Sequence, residues 1–398
     1  MEWHRLNTPS FDSIAGAAAS ASVVSALRAS RVSRVRLLLR HLATHRPESA
    51  DYITLLAEVE ATSPAECAAV LTYPWVAAWI TRSARARHAG PADYLRNVVA
   101  AVAYRVGDTA TAERIARDSG GRIWLPTIGL FTAPKGIIQP ADPIRTVRPA
   151  GRTGFTLYVD DLDPHRDCVG VPPADRLPNG EWSRVERTLT KAWELIEEHA
   201  SDRADELAVG LSSVVPLNGV PGVSVTSGDA FGGLAATIPH QPLEAAVMLI
   251  HEFQHSKINA LMDLVDLHRQ DSGIRYFAPW RPDPRPLSGM LHGIGAFTAV
   301  ALWWKAFCDT SPRPESAMEQ LAQLRLQLTC AIDQIGDDPG LTAAGRRFVR
   351  ANSIVVRSLA AYDLPPAADS SARAQLARLV QRWQRKQPAG SVPQFELT

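Results

Sequence analysis

Apolar and polar positions recur with two different periods along the chain. Over residues 14–120, and again from Pro242 onward, apolar residues return every three or four positions, which predicts helices with one buried face. Between these parts, after residue 121, short β-branched and aromatic runs bounded by Gly and Pro predict strands. The chain is therefore predicted to be α+β and predominantly helical. It divides into an N-terminal helical region (1–120), a core (121–310) and a C-terminal helical region (311–398).

The predicted strands all lie in the core range and indicate a small mixed or antiparallel sheet. They cover residues 123–131, 155–159, 207–217, 223–226 and 233–238. Asn218-Gly219 separates two of them and predicts a hairpin turn. Residues 133–153 and 160–180 are rich in Pro, Gly and Asp and are predicted to be connections.

Several residues predict where helices begin and end. Ser63-Pro64-Ala65-Glu66 has the pattern of a capping box with proline in the first turn. Pro242 is predicted to begin a long apolar helix that continues to about residue 267. A proline-rich loop, 278–286, separates it from a second apolar helix at about 288–307.

Composition and charge narrow the functional classes. The 398 residues contain 42 Lys and Arg against 41 Asp and Glu, a balance that argues against a dedicated binder of nucleic acid or anionic membrane. A hydrophobic content of 46% excludes an intrinsically disordered chain. We expect no transmembrane helix, because no run of about 18 apolar residues occurs. Four scattered cysteines without a CxxC pair fit a cytoplasmic protein.

The strongest chemical motif is an HExxH sequence inside the first apolar helix. It reads His251-Glu252-Phe253-Gln254-His255 and is flanked by apolar residues on both sides. Residues four apart share one face of a helix, so the two imidazoles can bind one metal ion. The flanking residues favour a buried helix packed against a sheet over a chance pair of surface histidines.

Two histidines require a third ligand, and the residues after the motif exclude two common choices. The metzincin pattern needs Gly at position 258 and His at position 261, where this chain has Ile258 and Leu261. A glutamate from the next helix is also excluded, because no glutamate occurs before Glu315.

Two later histidines could complete the site, and spacing separates them. If the helix continued through it, His268 would lie about 20 Å beyond His255 and on another face, so we excluded it. His292 stands near the start of the second apolar helix, beside Gly293 and Gly295, which would let the two helices pack closely. The predicted metal ligands are His251, His255 and His292, with a core histidine as the alternative for the last.

This set of ligands permits two kinds of chemistry. Three neutral imidazoles can hold zinc, whose bound water Glu252 would activate as a base in a peptidase. They can also hold Fe(II) as a variant of the usual two-histidine, one-carboxylate site, leaving positions for a cosubstrate and dioxygen.

The proline-rich loop adds two candidate anion-binding residues. Arg281 and Arg285 flank Pro282-Asp283-Pro284, whose backbone is stiff. A fixed guanidinium suits a carboxylate, such as the distal carboxylate of 2-oxoglutarate. The alternative is a structural pair in which an arginine contacts Asp283.

Three stretches together resemble a known family, the HEXXH-motif peptide-modification proteins. They are 227–234 (SGDAFGGL), 249–261 (LIHEFQHSKINAL) and 279–293 (PWRPDPRPLSGMLHG). The resemblance implies a zincin-like core and an Fe(II)- and 2-oxoglutarate-dependent oxygenase that uses O2. Such an enzyme would β-hydroxylate a residue of a ribosomally made precursor peptide. It also implies His251 and His255 as iron ligands.

Two other functions compete with this hypothesis. A zinc metallopeptidase would use Glu252 as its base, and a binding module would keep the metal for structure alone. If the oxygenase holds its peptide by strand addition, residues 233–238 are expected to form an exposed edge strand. No nucleic-acid or membrane partner is expected.

Overall fold

The computed structural model describes residues 4–85, 93–134, 137–151, 154–312 and 315–385. Within them the chain is α+β and mostly helical, as predicted. The helices are α1 (Thr8–Ala15), α2 (Ala21–His45), α3 (Ala50–Thr62), α4 (Pro64–Leu71), α5 (Pro74–Arg85), α6 (Asp93–Arg105), α7 (Thr109–Asp118), α8 (Asn179–His199), α9 (Ser201–Gly210), α10 (Pro242–Met262), α11 (Leu287–Thr310), α12 (Glu315–Ile335), α13 (Ala343–Ala360) and α14 (Pro366–Gln384). The strands are β1 (Arg122–Leu125), β2 (Gly129–Thr132), β3 (Gln139–Pro143), β4 (Arg145–Val147), β5 (Leu157–Val159), β6 (Ser213–Pro216), β7 (Ser224–Val225) and β8 (Gly233–Ala236).

The chain forms two compact units, each built from separate segments. The sheet unit comprises Val24–Glu194 and Leu207–Ala245 and contains all eight strands named above. The helical unit comprises Met1–Val23, Leu195–Glu206 and Ala246–Thr398. The predicted ranges 1–120, 121–310 and 311–398 divide the chain differently, because a contiguous range cannot describe a unit that the chain leaves and re-enters. The last residues of the predicted C-terminal region, 386–398, lie outside the described residues.

The three-stranded sheet of the sheet unit is an antiparallel meander in the order β1-β2-β3. Its tight β1–β2 turn needs glycine at Gly129, where φ is +139° and an added Cβ would lie 2.6 Å from Asp142 O. The third strand was missed from sequence, because Pro140 and Pro143 indicated a connection. Prolines are tolerated there since β3 is an exposed edge strand.

The second sheet has five strands in the order β4-β5-β6-β8-β7. β6 pairs in parallel with both β5 and β8, whereas β7 pairs antiparallel with β8. The predicted hairpin at Asn218-Gly219 is therefore wrong, because β8 lies between the strands that it was expected to join. The predicted exposed edge strand over 233–238 is also wrong, since β8 is central and buried.

Two further local predictions are corrected. Residues 207–210 were expected to begin a strand but complete α9, and only Ser213–Pro216 is extended. α4 does begin at Pro64, yet the Ser63 side chain makes no capping hydrogen bond, so the predicted capping box is wrong.

The helical unit is organised around α12, which packs against α11, α13 and α14. Gly295 of α11 lets that helix approach α10, because an added Cβ would lie 2.6 Å from Ile258 Cδ1. It would also lie 3.0 Å from Phe348 Cζ of α13. The close approach expected from the small residues of α11 is confirmed at Gly295.

By length and composition alone α11 could cross a membrane, as the buried core helix of a folded protein also could. Most of its apolar stretch is buried, so packing within the helical unit accounts for its apolar character.

Candidate metal centre

Helix α10 presents both histidines of the HExxH motif on one face. Pro242 begins the helix, as predicted, with Glu244 in its first turn. His251 and His255 are one turn apart, and their Nε2 atoms lie 3.2 Å from each other. Two ring nitrogens this close on one face of a helix could serve as ligands of one metal ion.

His292 of α11 joins the pair from the facing helix. Its Nδ1 lies 3.3 Å from His255 Nδ1, so the structure brings together all three histidines predicted as ligands. The packing at Gly295, one turn beyond His292, sets this distance.

His255 contacts its two neighbours through different nitrogens, and a single metal ion can take only one of them. Its Nε2 faces His251, whereas its Nδ1 faces His292. Rotating the imidazole by 180° about its Cβ–Cγ bond moves Nε2 to the position that Cε1 now occupies. Because Cε1 is bonded to both nitrogens, Nε2 would then lie between the two present nitrogen positions. Both ring orientations are compatible with the same side-chain position.

Glu252 supplies a carboxylate beside the histidines. It is buried, and its Oε1 lies 4.0 Å from His251 Nε2. The group whose ligand atoms all lie within 4.8 Å of one another is His251, Glu252 and His255. His251 and His255 could therefore be joined by either of two third ligands, the Glu252 carboxylate or the His292 imidazole.

All three imidazoles are held neutral by their surroundings. Burial, together with the neighbouring His255, lowers the pKa of His251 to about 4. Burial lowers the pKa of His255 to about 3, with contributions from His292 and Arg285. Burial lowers the pKa of His292 to about 4, with contributions from His268 and Arg285. Neutral imidazole is the form that binds metal, so the site is prepared for an ion at neutral pH.

His268 does not lie on the continuation of the HExxH helix, as the sequence prediction assumed, because α10 ends at Met262. The chain then turns, and His268 Nδ1 lies 2.6 Å from Arg269 O. His268 contributes to the low pKa of His292, although it is not in the group of close ligand atoms.

The two arginines of the proline-rich loop occupy different places. Tyr276 and Arg285 form an antiparallel bridge that fixes the ends of the loop. Arg281 Nε donates to Asp283 Oδ1 at 2.6 Å, and Arg285 Nη1 lies 3.5 Å from Asp283 Oδ2. The alternative of a structural pair at Asp283 is therefore observed. The positive charge of Arg285 also contributes to the low pKa of His255 and His292.

Two aromatic side chains that sequence reasoning missed close one side of the site. The Phe297 ring meets the His251 ring edge to face, with centroids 4.7 Å apart. Trp280 lies 4.9 Å from Phe297 and against Gly293, where an added Cβ would be 2.2 Å from its Cζ2. The only sequence feature that could have indicated Phe297 as a site residue is its place on α11, five positions after His292.

The opposite side of α10 carries a buried ionic cluster, also missed from sequence. Lys257 Nζ donates to Glu206 Oε2 at 2.7 Å, and Arg203 Nη1 donates to Glu206 Oε1 at 2.7 Å. Both Lys257 and Glu206 are almost completely buried. The cluster anchors the histidine helix to α9 within the helical unit.

Comparisons with known proteins add no assignment. No model of a known protein family matches the chain, and no curated protein matches its sequence.

Proposed function

We propose that the protein is an Fe(II)- and 2-oxoglutarate-dependent oxygenase that β-hydroxylates a residue of a ribosomally made precursor peptide. The observation that carries the proposal is the meeting of three half-buried, neutral imidazoles from α10 and α11. Such a set of nitrogen donors suits a divalent transition metal and not magnesium or calcium, which prefer oxygen. The resemblance of the surrounding residues supports iron.

Each site residue has a role in this proposal. His251, His255 and His292 would hold the metal, on a zincin-like arrangement in which α10 is the ligand helix. Arg285 would bind the distal carboxylate of 2-oxoglutarate, because its charge acts on both His255 and His292. Glu252 would support His251 from 4.0 Å away. Iron, 2-oxoglutarate and O2 would supply the oxidation, which side chains cannot perform alone.

The protein's own contribution is to orient the peptide and exclude water. Phe297 and Trp280 cover one side of the histidines with apolar surface. A dry boundary strengthens the charge interactions inside the site and protects reactive species from solvent. The proposed partner is a precursor peptide in the cytoplasm, and no nucleic acid or membrane takes part.

One observation favours a second function, a zinc-dependent metallopeptidase. Glu252 belongs to the same close group as His251 and His255, where a carboxylate could act as a base on zinc-bound water. This function predicts peptide cleavage that requires neither iron nor 2-oxoglutarate.

Anaerobic titration of metal-free protein with Fe(II) and then 2-oxoglutarate tests the proposal. A bidentate 2-oxoacid on Fe(II) gives a visible charge-transfer band, and we expect this band with the intact chain. His251→Ala and His292→Ala should abolish it, whereas His45→Ala, at an exposed histidine of α2, should keep it. Tight zinc binding at the same histidines without any band would overturn the oxygenase and favour the peptidase.

A further inference from the structure

A separate cleft of about 420 Å³ opens within the helical unit beside the metal centre. Its walls come from the proline-rich loop, from Phe297 of α11, and from α12 and α14. The mechanism proposed above makes no use of α12 or α14. The chemistry of the lining residues indicates what the cleft would hold.

A row of side-chain amides runs along the cleft. Gln320, Gln323 and Gln327 lie at helical spacing on α12, and Gln375 lines the cleft from α14. Gln327 Nε2 donates to Pro279 O at 3.1 Å, which ties the loop to α12. A glutamine side chain offers a donor and an acceptor together, the same pair that a peptide group offers. The row therefore suits an extended peptide backbone.

The charge of the cleft is positive. Arg281 and Arg382 line it, and no acidic residue does so among its described lining residues. Asp283 contacts Arg281 from within the loop and offsets part of that charge, but the Arg281 side chain is still 44% exposed. Two guanidinium groups along an amide-lined cleft favour a ligand with carboxylates.

The cleft and the metal centre share an aromatic wall. Trp280 and Phe297 both line the cleft, and Phe297 also contacts His251. A chain lying in the cleft would thus pass next to the ligand set, separated from it by one layer of rings. This is the position expected for the part of a substrate that flanks the residue to be modified.

We propose that the cleft between α12, α14 and the proline-rich loop binds an acidic segment of the peptide substrate. The glutamines would pair with its backbone, and Arg281 and Arg382 with its carboxylates. That this segment belongs to the substrate rests on the function proposed above. That the cleft binds an acidic peptide does not depend on that function.

Fluorescence anisotropy with labelled model peptides tests the cleft without metal or cosubstrate. The probes are a fluorescein-labelled hexapeptide of alternating Glu and Gly and its counterpart of alternating Lys and Gly. We expect the full chain to bind the acidic probe and not the basic one. Arg382→Ala should weaken binding about five-fold, as for a partly exposed ion pair. Gln323→Ala should also weaken it.

Arg378→Ala is the matched control, because Arg378 is exposed on the same helix but does not line the cleft. It should leave binding of the acidic probe unchanged. Equal binding of both probes, or equal losses in Arg378→Ala and Arg382→Ala, would overturn the proposal. Acidic-probe binding without the iron band would keep the cleft and reject the oxygenase. The iron band without binding of the acidic probe would keep the oxygenase and reject the cleft as a peptide site.

Discussion

At the residue scale, the orientation of the His255 ring bears on which third ligand could complete the candidate metal centre. Its two nitrogens face His251 and His292, and half a turn of the ring directs one nitrogen between both neighbours. Glu252, 4.0 Å from His251 Nε2, is the competing ligand. The two donor sets differ in net charge, because the carboxylate adds one negative charge and His292 adds none.

Replacing Glu252 by glutamine, its neutral isostere, distinguishes a site completed by Glu252 from one completed by His292. If His292 is the third ligand, Glu252→Gln retains the Fe(II)–2-oxoglutarate band and lowers metal affinity about 10–100-fold, as for residues that orient ligands. His292→Ala loses the band. The reverse pattern, with the band lost in Glu252→Gln and kept in His292→Ala, would assign the carboxylate as ligand.

The buried pair of Lys257 and Glu206 makes a prediction about stability. Lys257→Met leaves the Glu206 carboxylate with Arg203 alone, and breaking a buried pair is destabilising by about 3 kcal/mol. Urea unfolding followed by circular dichroism measures the loss. Adding Glu206→Gln to that variant also removes the partner of the Arg203 guanidinium, so the double variant should be less stable than Lys257→Met. A double variant as stable as Lys257→Met, or more stable, would contradict this account.

At the scale of elements, close packing of α11 on α10 sets the distance between His292 and His255. Gly295→Ala places a methyl group 2.6 Å from Ile258 Cδ1 and 3.0 Å from Phe348 Cζ. We expect a loss of about 1–2 kcal/mol despite the better helix propensity of alanine. Zinc affinity should fall as well, because α11 carries His292. Thermal unfolding and zinc titration measure the two effects.

Two further variants test the cause. Ile258→Val removes the methyl group that clashes, so Gly295→Ala/Ile258→Val should regain zinc affinity. Gly180→Ala, at a helical glycine with open space around it, should be neutral or stabilising. A similar loss of zinc affinity in Gly180→Ala would reject packing as the reason.

Elements with strong local signals were predictable from sequence. Pro242 and the apolar period after it located α10, and the Pro-rich loop located its boundary with α11. The end of α10 at Met262 was not predicted, because apolar residues continue past it to Leu267, which is buried in the loop that follows. β3 was missed because its prolines resemble those of a connection, and only its edge position makes them acceptable.

Pairings between distant segments were not predictable. β6 and β7 are close in sequence, yet β8 lies between them, since parallel pairing buries β6 on both sides. At the site, the sequence placed His251 and His255 on one face and suggested His292. Trp280, Phe297 and the Lys257–Glu206 pair depend on contacts across elements, which local patterns do not encode.

At the scale of the whole molecule, the two units contain buried titratable groups whose pKa shifts change stability in acid in opposite directions. In the helical unit, burial lowers the pKa of His251, His255 and His292 to about 4, 3 and 4. Unfolding returns each imidazole to its ordinary pKa near 6.5. Between pH 6.5 and 4 the unfolded state therefore binds more protons, and acidification destabilises this unit.

In the sheet unit, His165 and Asp163 have opposite effects on stability in acid. Burial lowers the pKa of His165 to about 4, which destabilises the fold in acid as above. Burial and the neighbouring Asp160 raise the pKa of Asp163 to about 7, while Tyr94 donates to its carboxylate at 2.5 Å. Since the folded state then binds the extra proton, Asp163 stabilises this unit as the pH falls from about 7 toward 4. Burial raises the pKa of Asp160 as well, in the same direction.

Acidification from pH 7 to 4.5 should therefore loosen the helical unit first. Hydrogen exchange with mass spectrometry, resolved by peptide, should show α10 and α11 losing protection at a higher pH than β5 and β6. Zinc should move that loss to lower pH, because it binds the neutral histidines of the folded state. Asp163→Asn should reduce the difference by removing acid stabilisation from the sheet unit, with a change of at most about 1.4 kcal/mol per pH unit. Simultaneous loss of protection in both units of the intact chain, unchanged by zinc, would show that the three histidines of the candidate site do not control acid stability.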